Sequence, residues 1–277
     1  MDITLPGGTV VHYTDDPAAA GDRARPALLL VHGGSLSLTS WRPWISRLRG
    51  RRRIVAVDMP GHGGTGATRA GDYTPEGMVK FLATFSQAVG LDRPFVLAGH
   101  SMGGHICWRF ALGYPGRLAG LILVAPGGLA RPEGPVGRTI SIARRPGGSV
   151  LLRLFASRGR FEAGLKGNVF DPAVLTCEMV EEWWRASRRA GVLRASVARL
   201  RAPFAEPAVI ARLGEIRTRT LIQWGEQDNV FPLELGEHMA RRIPDSRFLT
   251  YACCRHIPIL EHPDRTAGDA DAFMDSL

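Results

Sequence analysis

Lysine is almost missing from this chain: Lys80 and Lys166 are its only two, so the formal charge of +9 over 277 residues is carried by arginine. Long apolar runs are missing too. No stretch of 18 apolar residues occurs, which excludes a spanning helix of ordinary length. The residues before Leu28 are polar, contain Pro, Gly and Asp, and lack the basic start and apolar stretch of a secretory signal. A soluble, cytoplasmic protein without stable membrane insertion is therefore expected. The four cysteines, Cys107, Cys177, Cys253 and Cys254, form no C-x-x-C pair, and a disulfide scaffold does not suit a chain of this size. They are expected as free thiols with small buried side chains. The pair Cys253-Cys254 lies two residues from His256, so its oxidation would bear on any activity there.

Several chemistries are also missing. No His, Cys, Asp and Glu spacing of the H-E-x-x-H kind is present, so no metal is expected. No G-x-G-x-x-G follows a strand, and Gly-Lys-Ser/Thr does not occur, so no phosphate-binding loop and no cofactor beyond water is implied. The positive charge is concentrated. Residues 126–205 hold thirteen Arg and one Lys against six acids, while the rest of the chain is close to neutral. Nucleic-acid binding would want aromatics interleaved with those arginines on one face and a recognisable module, and neither is evident. The spacing does not force the arginines inward, so a solvated outer face is the expectation.

What is present is an alternation of strand and helix. A hairpin is expected over Ile3 to Tyr13, strands at Leu28 to Val31, Ile54 to Asp58, Phe95 to Ala98 and Leu118 to Val124, and helices at Trp41 to Leu48, Pro75 to Val89 and Gly103 to Tyr114. This α/β pattern predicts a mostly parallel eight-stranded sheet with helices on both faces. After Pro126 the alternation stops. Helical patterns such as Ser149 to Phe155 and Leu175 to Ala190, broken by Pro and Gly, predict an inserted helical cap over residues 126–205. The core, residues 1–125 and 206–277, resumes with helix Pro207 to Leu213, strand Thr220 to Gln223, helix Leu233 to Ile243, strand Arg247 to Tyr251 and a helix from Pro263. One core plus an insertion fits the length.

The stretch Gly99-His100-Ser101-Met102-Gly103-Gly104 sits between a strand and an amphipathic run. That context makes it a nucleophile elbow, a strained strand-to-helix turn that lifts the Ser101 hydroxyl clear of the sheet and needs glycines where side chains would collide. With 33 Gly in the chain, a bare G-x-S-x-G match arises by chance on the order of 0.2 times. Its company decides the matter. Asp228 follows in Trp224-Gly225-Glu226-Gln227-Asp228-Asn229, just after a strand, and His256 in Arg255-His256-Ile257-Pro258. Ser, Asp, His is the chain order of one known form of the triad, with Ser101 as nucleophile, His256 as base and Asp228 orienting it. Upstream, a strand runs into His32-Gly33-Gly34-Ser35, where a backbone N–H can serve an oxyanion hole. Gly34 and Met102 are its expected donors. His32 is expected to hold that loop, Asp58 to pin its own loop, and His262 to lie at the surface. Ser35, His100, Trp183, Trp184 and Ile257 are candidates for substrate contact. Neighbours on a helix cannot face one way, so of the two tryptophans one packs on the core.

Taken together, HGG, DMPGHG, GHSMGG, WGEQDNVFP and RHIPILEHPD resemble the α/β-hydrolase superfamily over nearly the whole chain. The segments Leu121 to Leu129 and Ala211 to Ile216 are similar to the meta-cleavage-product hydrolases, which cleave a carbon–carbon bond in vinylogous 1,5-diketones. The resemblance implies the α/β-hydrolase fold and the roles given above. The chain departs from the narrower family at four places. His100 stands where an Asn commonly precedes the serine, and Trp183 where an Arg usually precedes the cap Trp. The region of Trp41-Arg42-Pro43 lacks an Asn, and Ile257 replaces an aromatic. Arg255 stands where a Gly usually precedes the histidine; pointed inward it would repel the imidazolium, but solvent is its expected direction.

The reading favoured by these residues is a serine hydrolase that cleaves a small or medium carboxylic ester, lactone or related acyl compound through an acyl-enzyme. Carbon–carbon bond hydrolysis is the alternative. Non-hydrolytic lyase or cyclase chemistry, or a ligand-binding protein on the same fold, remains open. The expected partner is a small acyl substrate, with a homodimer possible in principle.

Overall fold

The computed structural model describes residues 1–19, 24–69, 71–154 and 156–277, apart from the side chain of Arg153. Eight strands form one sheet: β1 (Asp2–Thr4), β2 (Val10–Asp16), β3 (Leu28–Val31), β4 (Ile54–Val57), β5 (Phe95–His100), β6 (Leu118–Val124), β7 (Thr220–Gly225) and β8 (Ser246–Tyr251). Their spatial order is β1-β2-β4-β3-β5-β6-β7-β8. The hairpin β1–β2 and the β2–β4 pair are antiparallel, and every pair from β4 to β8 is parallel.

The central strands are apolar on both faces, as a sheet covered on both sides requires. Successive residues point to opposite sides. Leu29, Val31, Val55, Val57 and Leu97 join one apolar cluster, whereas Leu28, Leu30, Ile54, Ala56 and Val96 join the other. The first layer is closed by α2 (Pro75–Ala88) and α3 (Met102–Gly113), through Met78, Leu82, Phe85, Ile106 and Phe110. The second is closed by α1 (Arg42–Leu48) and the C-terminal α12 (Pro263–Asp275), through Trp44, Leu48, Ala270 and Phe273. Across that layer Trp44 Nε1 donates to Thr266 Oγ1 at 2.9 Å.

Between β6 and β7 the chain leaves the sheet for a helical insertion: α4 (Gly134–Arg144), α5 (Gly148–Leu154), α6 (Arg158–Lys166), α7 (Cys177–Ser187) and α8 (Val192–Arg201). Thr176 starts α7 by accepting from Met179 N, as an N-cap hydroxyl does. Phe155, the expected end of a helix there, lies outside the described residues. The chain returns through α9 (Pro207–Ile210), and α10 (Leu233–Arg242) and α11 (Pro258–Glu261) follow β7 and β8. No helix among the described residues is long and apolar enough to cross a membrane.

Candidate active site

Among the described residues four non-glycine positions have positive φ, namely Ser35 (65°), Ser101 (52°), Ala125 (42°) and Cys253 (54°). Each lies just beyond the carboxyl end of a strand, β3, β5, β6 or β8, the rim where ligands bind on open α/β sheets. Backbone strain there is held by its surroundings. At Ser101 those surroundings leave no room. A Cβ on Gly99 would meet Cys107 Sγ and Gly103 O, both at 2.5 Å, and one on Gly103 would stand 2.2 Å from Val31 O.

The elbow presents Ser101 Oγ 2.9 Å from His256 Nε2, and His256 Nδ1 lies 2.8 Å from Asp228 Oδ2. Asp228 is fully buried. Its other oxygen accepts from Val230 N and Phe231 N, at 2.8 and 3.0 Å. These bonds hold the carboxylate aimed at the imidazole. A charged Asp228 fixes the proton on Nδ1 and leaves Nε2 with a lone pair toward the serine. The three side chains come from three separate loops, 127 residues apart at the first step and 28 at the second, and the sheet brings them together.

The loop that carries His256 is tied down by a residue the sequence reading missed. Glu261 accepts from the backbone N–H groups of Arg255, Ile257 and Phe170. A carboxylate one helical turn after the histidine is the signal that was available. Arg255 does not point to solvent as expected: its guanidinium donates to the carbonyls of Gly167 and Val169, both at 3.3 Å. Beside it, His256 N donates to Asn168 O at 3.0 Å. The insertion is thus fastened to the histidine loop.

Four histidines around the site are buried and held neutral. His32 accepts from Met59 N through Nε2, which leaves its Nδ1–H to donate to Gly33 O at 2.7 Å; burial lowers its pKa. His62, beside it, is pushed down by burial and by the His32 charge. His100 and His105 are lowered to about 3, chiefly by burial, with the neighbouring His256 and Arg109 charges adding to it. Asp58 pins two loops by accepting from Leu38 N and Gly64 N, each at 2.7 Å. His262 bonds Ala252 O near the surface.

A cavity of about 570 Å³ opens over Ser101 and is walled by both the sheet rim and the insertion. Gly34 and Met102 border it, and Met102, as the first residue of α3, has an N–H that the helix itself leaves unpaired. Ser35, Trp184 and Ile257 border it as well. His100 reaches its wall, yet the ring is 1% exposed and Nε2 donates to His256 O at 2.8 Å, so it serves the histidine loop more than a ligand. Trp183 is a correction. It is 1% exposed and away from the cavity, with Nε1 donating to Thr39 Oγ1 at 2.9 Å. One step along α7 is a rotation of about 100°, which turns Trp184 to the cavity and Trp183 to the core.

The arginines need correcting too. Arg160, Arg188 and Arg199 of the insertion line the cavity instead of an outer face. Arg188 stacks on Trp184, 5.3 Å from its ring centroid. On α8 the lining positions Leu193, Ser196, Val197 and Leu200 recur at helical spacing, with Arg199 at their margin; no helix was expected there from the sequence, and this spacing was the available signal. The cysteines are free, with Cys107 and Cys254 buried, but Cys177 and Cys253 are exposed, contrary to expectation.

With this geometry in view, the likeness to known proteins can be placed. The chain is 27% identical over 257 residues to the 2-hydroxy-6-oxo-6-phenylhexa-2,4-dienoate hydrolase of Comamonas testosteroni, covering 89% of this chain and 85% of that one. It is 26% identical to monoacylglycerol lipase abhd6-B of Xenopus laevis, covering 91% of this chain and 76% of the relative. Among solved structures it superposes on a thermophilic esterase from Thermogutta terrifontis with malate bound, at a TM-score of 0.78 and 27% identity, over 100% of this chain and 98% of that one. The model of the alpha/beta hydrolase family matches residues 28–270. The chain belongs to that family.

Proposed function

We propose that the chain is a serine hydrolase that cleaves a small or medium carboxylic ester, lactone or related acyl compound. One observation carries this reading: an unbroken relay from Ser101 Oγ through both nitrogens of His256 to a buried Asp228, at 2.9 and 2.8 Å, with an open cavity above the hydroxyl. The esterase and lipase among the relatives support it.

In the first half-reaction Ser101 Oγ attacks the carbonyl carbon while its proton passes to His256 Nε2. The carbonyl electron pair moves to oxygen, where the N–H groups of Gly34 and Met102 would donate. On collapse the bond to the leaving alkoxide breaks, and the alkoxide takes the proton from His256. A water then gives its proton to His256 and attacks the acyl carbon. The Ser101 ester bond breaks, and Oγ recovers the proton as the acid leaves. Asp228 stays ionised throughout and offsets the charge on the imidazole.

Fluorophosphonate labelling tests the assignment. The wild type should label, Ser101→Ala should not, and turnover in the variant should fall by about 10⁴-fold or more. Equal labelling, or activity retained by Ser101→Ala, would remove Ser101 from the mechanism.

A second reading is carbon–carbon bond hydrolysis, favoured by the dienoate hydrolase among the relatives and by a cationic cavity wall suited to an acidic substrate. Against it stands His100, already bonded to His256 O, where that narrower family commonly has Asn. Comparing kcat/KM for a 2-hydroxy-6-oxo-dienoate and for p-nitrophenyl butyrate separates the two. A preference of about 100-fold or more for the dienoate would reverse the order.

A further inference from the structure

A guanidinium that leaves bulk water needs an acceptor for its N–H groups and an opposite charge, or it remains a cost to the fold. Other enclosed or half-enclosed arginines of this chain meet the need for an opposite charge. Arg109 is buried between Glu76 and Glu206, Arg52 donates to Asp271 and Asp275, and Arg158 to Glu162 and Glu181. Arg199 does not. Its Nε is buried without a hydrogen-bond partner, as that of Arg52 is, but where Arg52 has two carboxylates on its other nitrogens no carboxylate among the described residues pairs with Arg199.

Its position is informative. A Cβ on Gly34 would lie 3.3 Å from Arg199 Nη1, and a Cβ on the adjacent Gly33 would lie 3.4 Å from Ser101 Cβ. The cation therefore stands against the loop that abuts the nucleophile. Three arginines and no Asp or Glu are found among the residues lining the cavity. Burial lowers the Arg199 pKa only to about 10, so the group is still protonated at neutral pH, and its charge helps to keep His32 and His62 neutral.

We propose that Arg199 is a specificity-determining residue that selects substrates bearing a carboxylate a short chain away from the scissile carbonyl. A carboxylate entering the cavity would supply the missing acceptor and countercharge, in the side-by-side geometry that guanidinium and carboxylate favour. A neutral isostere leaves the cation unpaired, so discrimination comes from both sides of the comparison. The inference rests on the serine-hydrolase reading, and it names the substrate class for that same site.

The test uses two matched ester pairs, because the charge can sit on either side of the scissile bond. Monoethyl succinate is compared with ethyl 4-methylpentanoate, and carboxymethyl butyrate with isobutyl butyrate. In each pair a carboxylate replaces an isopropyl group of similar shape. For at least one pair the wild type should favour the charged ester in kcat/KM. Arg199→Gln should lower that charged-to-neutral ratio by about 30-fold, the worth of one charge-assisted pair, and Arg199→Lys should retain an intermediate ratio. A wild-type ratio at or below one in both pairs overturns the proposal without any variant. A ratio unchanged in Arg199→Gln overturns it as well, since equal losses on both esters would mean that the cation acts on the reacting centre or the fold. Circular dichroism establishes that the variants fold, and if Arg199→Gln does not, Arg199→Lys and the wild-type ratios decide. Fluorophosphonate labelling keeps the two claims apart: labelled Ser101 without carboxylate preference sinks only the role of Arg199, whereas an unlabelled wild type sinks the nucleophile.

Discussion

The sheet core and the helical insertion both rely on helices packed over apolar surface, but they hold polar groups in opposite ways. In the core the charged ones are enclosed and countered: Arg52 meets Asp271 and Asp275, Arg109 meets Glu76 and Glu206, and Asp228 has each of its oxygens occupied. In the insertion the ion pairs are largely exposed, as with Arg185–Glu181 and Lys166–Glu162, and such pairs add little to stability. Val150, Leu151 and Leu154 are exposed there, and the buried Nε of Arg199 has no partner among the described residues. Close packing makes the core intolerant of change, while looser packing and an unmatched charge leave the insertion free to set which ligand fits.

Glycine substitution is the harshest way to break that contrast. Gly103→Ala would place a Cβ 2.2 Å from Val31 O and 2.7 Å from His32 O, both backbone atoms that cannot swing aside. A loss of about 3 kcal/mol or more is expected, at the upper end of overpacking costs. Gly164→Ala, within α6 of the insertion, meets nothing within 4 Å. There the better helix former should gain about 0.5 to 1 kcal/mol. Urea denaturation of both variants decides, and similar losses at the two sites would dissolve the distinction.

Between about pH 6.5 and 5 acid should act chiefly on the core, because residues 126–205 contain no histidine. His32, His62, His100 and His105 all have lowered pKa values in the folded protein, against about 6.5 when unfolded. Below that value the unfolded chain binds protons that the folded core refuses. Stability is therefore full above about pH 6.5 and is lost as pH falls toward 3, with a limiting slope of about 1.4 kcal/mol per pH unit for each histidine. The urea midpoint should drop steeply between pH 6.5 and 5. His105→Gln, which keeps an acceptor for Arg109 Nε, should reduce the slope by about one proton. A midpoint flat across that range would mean that these imidazoles titrate freely in the folded state.

The same contrast explains what could be read from the sequence. Strands β3, β4 and β6 were legible because a strand buried on both faces must be a continuous apolar run, and the elbow because only glycine fits beside Ser101. Asp228 and His256 followed from chain order. The α7 tryptophans were half legible: helical rotation separates Trp183 from Trp184 but does not say which one faces the cavity. Arg199 was not legible. Thirteen arginines in residues 126–205 look alike as letters, and what distinguishes Arg199 is a buried Nε without an acceptor beside the Gly34 loop, a property of three-dimensional packing. The direction of Arg255 was hidden for a similar reason, since its acceptors are backbone carbonyls that no side-chain pattern reports.

Arg255 also gives the smallest expected effect, at the seam between the two regions. Its guanidinium is turned to the carbonyls of Gly167 and Val169, while Asn229 Nδ2 also donates to Gly167 O and His256 N to Asn168 O. Removing Arg255 leaves the other two ties in place. Arg255→Gly should therefore cost about 1 kcal/mol in stability, the net worth of a hydrogen-bonded contact of this kind, and should leave the shape of the pH–rate profile alone. Were its charge acting on the imidazole, it would disfavour the protonated form, and its removal would move the acidic limb of kcat/KM to higher pH. With the guanidinium engaged by the insertion, that limb should stay within about 0.3 of its wild-type pH. An upward move well beyond that would show that the seam controls the chemistry as well as the closure of the cavity.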